Sequence, residues 1–340
     1  MAKKHNHKRS LVDPPEITLG IDLGGTKILA AVVDEQGRIL GEAKRKTRAE
    51  RGVDDVIERI AKTAQEAVAN AHLDMAAIAA VGIGAPGVAD HLTGVLEFAP
   101  NLPDWTNIPL GMRLQQLLGV PVLVENDVNA GTYGEATAGA ARGYGSVVGV
   151  FPGTGIGGGI VLDGRLWRGA RNAAAEIGHM VVLIDGPQCG CGRRGCIEAL
   201  ASRTAIERDI LGEIRGGRSS VVTQWIDVEG EPITSGVLAR ALEEGDPVVT
   251  DVVTRAAYHL GVFTASLVNA LDPECIVYGG GLIEACGRFL LPIIRNTTYR
   301  YLIRPVAPEN LPILEAALGD NAVAIGCAML ASQHVRALQE

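Results

Sequence analysis

Three cysteines fall within eight residues, at Cys189, Cys191 and Cys196, and His179 stands shortly before them. Three thiolates and one imidazole make a tetrahedral zinc set, and Gly190, Gly192 and Gly195 let the intervening loop fold back on itself. Four protein ligands leave no open position, so the metal expected here is structural. Zinc would hold one ring nitrogen of His179 and leave the other facing a cleft. Glu176 and Glu198 flank this loop and are candidates to take substrate hydroxyls.

A second chemistry-bearing run is Glu125-Asn126-Asp127-Val128-Asn129-Ala130, which follows the apolar strand predicted over 120–124 and opens a helix-like stretch. Carboxyl ends of strands are where ligands bind in open α/β folds. Asn and Asp are also good N-caps, so capping and catalysis both explain them. In the catalytic reading Asp127 accepts a substrate hydroxyl proton during phosphoryl transfer. The helix N-terminus is expected to lower its pKa, which a loose transition state tolerates.

A third run, Asp22-Leu23-Gly24-Gly25-Thr26-Lys27, sits on a hairpin turn after a strand. Glycines there let backbone N–H groups approach phosphates, Thr26 and Lys27 add a donor and a charge, and Asp22 is placed to hold Mg²⁺. The Walker spacing is absent. Gly153-Thr154-Gly155 and Gly279-Gly280-Gly281 supply further turns for a phosphate cleft.

These groups need a scaffold. The chain has 340 residues, 47% hydrophobic and 21% charged, enough for a large core and room for two domains. With 31 basic against 39 acidic residues there is no global cationic field to attract nucleic acid or anionic lipid, and only 4% aromatics disfavours a base-stacking surface. Its 43 glycines point to tight turns and backbone–ligand contacts. No apolar run reaches a membrane span, and the start lacks the apolar core of a secretory signal. Six cysteines in a chain this long suit a reducing cytoplasm.

Alternation predicts an antiparallel meander over 17–44, a helix over 53–71 and a buried strand over 79–84. Residues 146–167 repeat the plan of strand, Gly/Thr turn, small-residue strand and acidic hairpin, implying two related α/β lobes facing each other. Helices are predicted over 199–214, 236–244, 246–271 and 321–338, with a strand over 275–278. Residues 219–234 read as a surface excursion, and 1–15 as a disordered basic tail.

The runs quoted above, with Gly84-Ala85-Pro86-Gly87, the 100–105 segment PNLPDW, Glu176-Ile177-Gly178-His179-Met180 and Cys189–Ser202, resemble the ROK family (repressors, open reading frames and sugar kinases) in its bacterial glucokinase branch, over about 17–335. Ala175 stands where many members have Gly, and 219–234 is longer than the resemblance leads one to expect. The resemblance implies an actin-like, ribonuclease-H-like duplicated fold of two lobes. The small α/β domain would comprise 16–124 plus 321–340, and the large one 125–320 with zinc loop 179–196. It implies transfer of the γ-phosphoryl of ATP to the 6-hydroxyl of glucose, with Asp127 as base. The sugar would be held by Gly87, Asn101, Asn126, Asp127, Glu176, His179 and Glu198. ATP and Mg²⁺ would meet Asp22, Gly24, Gly25, Thr26, Lys27, Thr154 and Gly155, with adenosine near Gly280 and Gly281.

It further implies a homodimer or homotetramer. Other readings keep the scaffold: a kinase for fructose, mannose, N-acetylglucosamine or N-acetylmannosamine, use of polyphosphate as donor, or a sugar-sensing repressor. Repressors of this kind carry a helix-turn-helix ahead of the first strand, where only about sixteen residues stand here, so a kinase is expected.

Overall fold

The structure, a computed structural model, describes residues 16–99, 101–228 and 230–339; the 1–15 tail and Pro100 lie outside them. The chain opens with β1 (Thr18–Leu23), β2 (Lys27–Val33) and β3 (Ile39–Lys46), the meander expected from alternation. Helix α1 (Val53–Asn70) and β4 (Val81–Ala85) follow. A small antiparallel sheet, β5 (Val88–Asp90), β6 (Val95–Phe98) and β7 (Thr106–Ile108), leads to α2 (Leu110–Leu118), β8 (Val122–Asn126) and α3 (Asp127–Thr137).

The plan then repeats with β9 (Val147–Pro152), β10 (Ile156–Leu162) and β11 (Arg165–Leu166). Four helices come next: α4 (Glu198–Ala201), α5 (Arg203–Arg215), α6 (Ser235–Glu243) and α7 (Pro247–Leu271). The chain closes with β12 (Cys275–Tyr278), α8 (Gly281–Tyr301), β13 (Ile313–Glu315) and α9 (Ala322–Gln339).

The two large sheets have the same wiring. One runs β3-β2-β1-β4-β8 and the other β11-β10-β9-β12-β13. In each, a hairpin supplies the antiparallel side, and parallel strands are added beside its first strand. The repeat read from sequence is therefore a repeat of topology.

Helices α3 and α9 lie between the sheets, which explains why the strands are apolar on both faces. Along β2, Ile28, Ala30 and Val32 join the core with α1, while Leu29, Ala31 and Val33 face α9. Along β9 and β12, Val148, Val150, Ile276 and Tyr278 face the outer helices, while Val147 and Val277 join Ala130 and Tyr133 of α3. Period-two alternation thus divides each strand between two apolar layers. The central helices pack backbone to backbone: a Cβ on Gly326 would overlap the Ala130 carbonyl, and one on Gly134 would overlap that of Ala322.

Several sequence expectations change. The helix expected over 199–214 is two, because Ser202 leaves the helix and caps α5 by accepting from Ala205 N–H at 3.1 Å. The 219–234 segment is docked. Its Val222 and Ile233 are fully buried, and Asp246, the cap of α7, accepts from Val221 N–H at 2.7 Å. Helix α8 is hidden in the sequence by the glycines before it and by Pro292 inside it, and packing against α7 stabilises it nonetheless. Among the described residues no helix is long and apolar enough to cross a membrane.

Candidate active site

The local fold around Asn126 and Asp127 follows from capping. Asn126 ends β8 in an extended conformation, and its Oδ1 accepts from Val128 N–H at 2.9 Å and Asn129 N–H at 3.0 Å. Its Nδ2 donates to the Gly87 carbonyl at 3.0 Å, leaving one amide hydrogen for a ligand. The capping explanation is thus satisfied, and it fixes the site rather than excluding it.

Two cavities meet at this turn. The first, of about 120 Å³, is lined by Gly87, Glu125, Asn126, Arg168, Asn172 and Glu176 among others. Its walls offer carboxylate, amide and guanidinium groups. The second, of about 210 Å³, is lined by Asp22, Asp127, Gly280 and Asp320 together with apolar Phe151 and Val323. Val128 borders both. Asn126 therefore faces the polar cavity, and the next residue, Asp127, faces the acidic cleft.

Burial pushes the Asp127 carboxyl above its ordinary range, and this outweighs the lowering by the Val128 backbone donor. The expected depression by the helix N-terminus is overturned, because removal from water is the larger effect. Burial also raises Asp22, to about 7, with the charge of Asp127 adding to the rise. Two carboxylates crowded in a buried cleft, with Asp320 also on its wall, suit a divalent cation.

The other candidates divide. Gly24 and Lys27 close the β1–β2 turn through a 2.9 Å backbone bond, and Gly25 packs against Asn101. Thr26 is exposed beside them. Lys27 Nζ pairs with Asp320 at 2.7 Å, at the rim of the second cavity. Gly280 caps α8 with φ of 81°, a conformation open to glycine, and a Cβ there would press on the Pro152 carbonyl. Gly281 adjoins it in open space. Thr154 is exposed, and its carbonyl accepts from the Thr204 hydroxyl at 2.8 Å.

Asn101, His179 and Glu198 are not among the residues lining the first cavity. Glu198 is held between two features: Oε2 accepts from Ile156 N–H at 2.9 Å, and Oε1 lies 3.5 Å from Cys189 Sγ. A side chain on Gly155 would collide with that carboxylate. His179, Cys189, Cys191 and Cys196 bring their ligand atoms within 4.8 Å of one another. Cys191 Sγ and Cys196 Sγ are 3.7 Å apart, as are Cys189 Sγ and His179 Nδ1. Bonds of ~2.3 Å to a tetrahedral zinc give a sulfur–sulfur edge of ~3.8 Å. The four side chains therefore fit the ion, with Nδ1 the ring atom turned toward it.

Beyond Asp320 and Asn172 on the cavity walls, the fold gives roles to three residues to which sequence reasoning assigned none. Glu125, 8% exposed, accepts from Arg168 Nε at 2.6 Å and from Asn129 Nδ2 at 3.1 Å. A carboxylate ending an apolar strand was the available signal, but Arg168, far along the chain, carried none. The third is Glu135 of α3, fully buried. It accepts from the backbone N–H groups of Ala140, Ala317 and Leu318, holding the loop that carries Asp320.

Residues 18–334 match the ROK family. The chain belongs to the ROK family. It is 36% identical over 319 residues to the glucokinase of Thermotoga maritima, covering 93% of this chain and 98% of that protein. A ROK family glucokinase from Streptomyces griseus, solved in complex with glucose and AMPPNP, is 37% identical with a TM-score of 0.78, covering 93% of this chain and 99% of that one. The chain is also 30% identical over 309 residues to a xylose repressor of Caldicellulosiruptor bescii, covering 76% of it. The actin-like fold expected from the resemblance is that of the ROK family kinases, matched in topology by the paired sheets.

Proposed function

We propose that this ROK protein is an ATP-dependent glucokinase, converting glucose and ATP to glucose 6-phosphate and ADP. The observation that carries the reading is the meeting of a polar cavity and an acidic cleft at consecutive Asn126 and Asp127. A neutral, polyhydroxylated sugar needs buried donors and acceptors, and a nucleotide needs a cleft open to phosphates and a cation. The glucokinase relatives, one of them bound to glucose and an ATP analogue, support the same assignment.

In this reading Asn126, Glu176 and the Gly87 wall hold the sugar, with Asn101, His179 and Glu198 completing the set. Asp127 accepts the proton of the 6-hydroxyl as its oxygen bonds to the γ-phosphorus. The bond from that phosphorus to the β,γ-bridging oxygen breaks, and ADP leaves. Its raised proton affinity makes Asp127 a stronger base than an ordinary aspartate. Gly24, Gly25, Thr26, Lys27, Thr154 and Gly155 serve the phosphates, and Gly280 and Gly281 the adenosine. Asp22 would hold Mg²⁺, which when bound neutralises charge on the phosphates.

His179, Cys189, Cys191 and Cys196 would hold a structural zinc, whose role is to order the loop between Glu176 and Glu198. Assembly as a homodimer or homotetramer, and a cytoplasmic location, rest on the family resemblance. The test is ADP release from Mg²⁺–ATP with glucose, mannose, fructose, N-acetylglucosamine and N-acetylmannosamine, then with polyphosphate as donor. Turnover highest on glucose with ATP supports the proposal. Turnover on another sugar or donor corrects the specificity, and silence of folded, zinc-loaded protein on all of them overturns the kinase reading.

A further inference from the structure

The sugar cavity has one wall whose position is not explained by secondary structure. Residues 168–176 leave β11 without joining a helix or strand, yet supply Arg168, Asn172, Ala173, Ala174, Ala175 and Glu176 to the lining. Two of these, Asn172 at φ 53° and Ala175 at φ 65°, adopt left-handed backbone without being glycine. Asn tolerates this region, whereas at Ala175 it carries strain that surrounding contacts must hold. Ala175 immediately precedes Glu176.

Several side-chain ties cross from this loop to the segments that carry β5 and β8, and Asn172 hydrogen-bonds the His91 side chain that follows β5. Asn172 Nδ2 reaches Asp90 Oδ1 of β5 at 3.4 Å, a long and weak contact. Arg168 Nε donates to Glu125 Oε2 at 2.6 Å, with side-chain exposures of 23% and 8%. Glu125 is itself anchored, since its other oxygen accepts from Asn126 N–H at 3.0 Å and Asn129 Nδ2 at 3.1 Å. One carboxylate thus joins the strained loop to the residues on either side of Asp127. A charge-assisted bond between poorly hydrated partners is the strongest of these ties.

Building on the glucokinase reading, we propose that the Glu125–Arg168 ion pair is the positioning device of the sugar subsite, holding loop 168–176 against β8 so that Glu176 and Asn126 line one cavity. The pair acts through Glu176 and Asn126 rather than on the phosphoryl group. Its loss therefore affects sugar more than nucleotide.

The test compares Glu125→Gln, Arg168→Met, their double variant and Arg168→Lys with the natural chain. Hydrogen–deuterium exchange of the sugar-free proteins is expected to show lost protection confined to 168–178 in both singles. KM for glucose is expected to rise about 10- to 100-fold, with KM for ATP within about twofold, because misplacement by an ångström has effects of this size. The double variant is expected to be no worse than the poorer single, since each single strands a partly buried partner. Lysine Nζ lies one bond beyond arginine Nε and can reach the same oxygen, so Arg168→Lys is expected to restore most of the sugar KM.

Unchanged exchange across 168–178 overturns the proposal whatever the activity, including the case where Arg168 simply touches the sugar. Equal rises in both KM values, or additive singles, also overturn it. If the natural chain does not phosphorylate glucose, the glucokinase reading fails, while exchange still decides the role of the pair. If one single does not fold, the other pair-breaking single is read by the same exchange, with Glu125→Asp, whose shorter side chain withdraws the carboxylate from Arg168, beside it.

Discussion

Asp127, on the first turn of α3, raises the proton affinity of Asp22 at the end of β1, a carboxyl that burial already lifts to about 7. The two come from strands separated by β4 in one sheet, so their approach is a property of the parallel pairing β1–β4–β8. Between about pH 4 and 7 the folded, nucleotide-free protein holds a proton on Asp22 that the unfolded chain, with an ordinary carboxyl near 3.8, has released. That contribution to stability is complete below about pH 4 and is lost as pH rises toward 7. Thermal unfolding followed over this window should show Tm falling less steeply with pH in Asp22→Asn than in the natural chain. Identical slopes would remove Asp22 as the titrating group.

Asp127→Asn removes the proton acceptor and preserves size and the capping geometry. It should lower kcat about 10² to 10⁴-fold with folding intact by circular dichroism. The raised proton affinity of Asp127 also places the acid limb of the kcat/KM profile above the usual carboxylate range. That limb should disappear in the variant. Unchanged turnover would show that another group takes the proton.

Lys27 tests whether a surface ion pair is structural. Its partner Asp320 is 69% exposed, and such pairs contribute about 0–1 kcal/mol. Lys27→Met should therefore leave stability within about 0.5 kcal/mol while raising KM for ATP severalfold. A loss of stability with no change in KM would reassign the lysine to the scaffold.

The thiolate cluster should matter through the loop it organises. Cys191→Ser, or prolonged chelation, is expected to lower zinc content, lower Tm and reduce activity roughly tenfold or more. The route is Glu198, whose carboxylate sits 3.5 Å from Cys189 Sγ while bonding to Ile156 N–H. Full activity in metal-free protein, checked by elemental analysis, would break that link.

Ala175 occupies a left-handed position at φ 65°, where a Cβ costs about 1–2 kcal/mol and glycine none. Glycine adds freedom to the unfolded chain, worth about 0.4–1 kcal/mol. Ala175→Gly should therefore raise stability by up to about 1.6 kcal/mol in denaturant unfolding. A lower midpoint would mean that neighbours of the methyl group contribute more than the backbone strain removes.

The sequence by itself determined the local chemistry and the repeat. The thiolate spacing at Cys189, Cys191 and Cys196, the caps at Asn126 and Asp246, and the hairpin at Gly24-Gly25 depend on neighbours a few residues away. The apolar alternation of β1, β2, β9 and β10 is likewise readable along the chain. Tertiary structure decided what lies across a gap. Arg168 meets Glu125 over 43 residues of chain, and Glu135 meets Ala317 over 182. Neither partner carries a local mark of the other. It also decided the charge behaviour of Asp127: a helix start alone predicts a lowered carboxyl, whereas burial between two sheets raises it. Desolvation depends on everything packed around a group, and that is settled only when distant segments close over it.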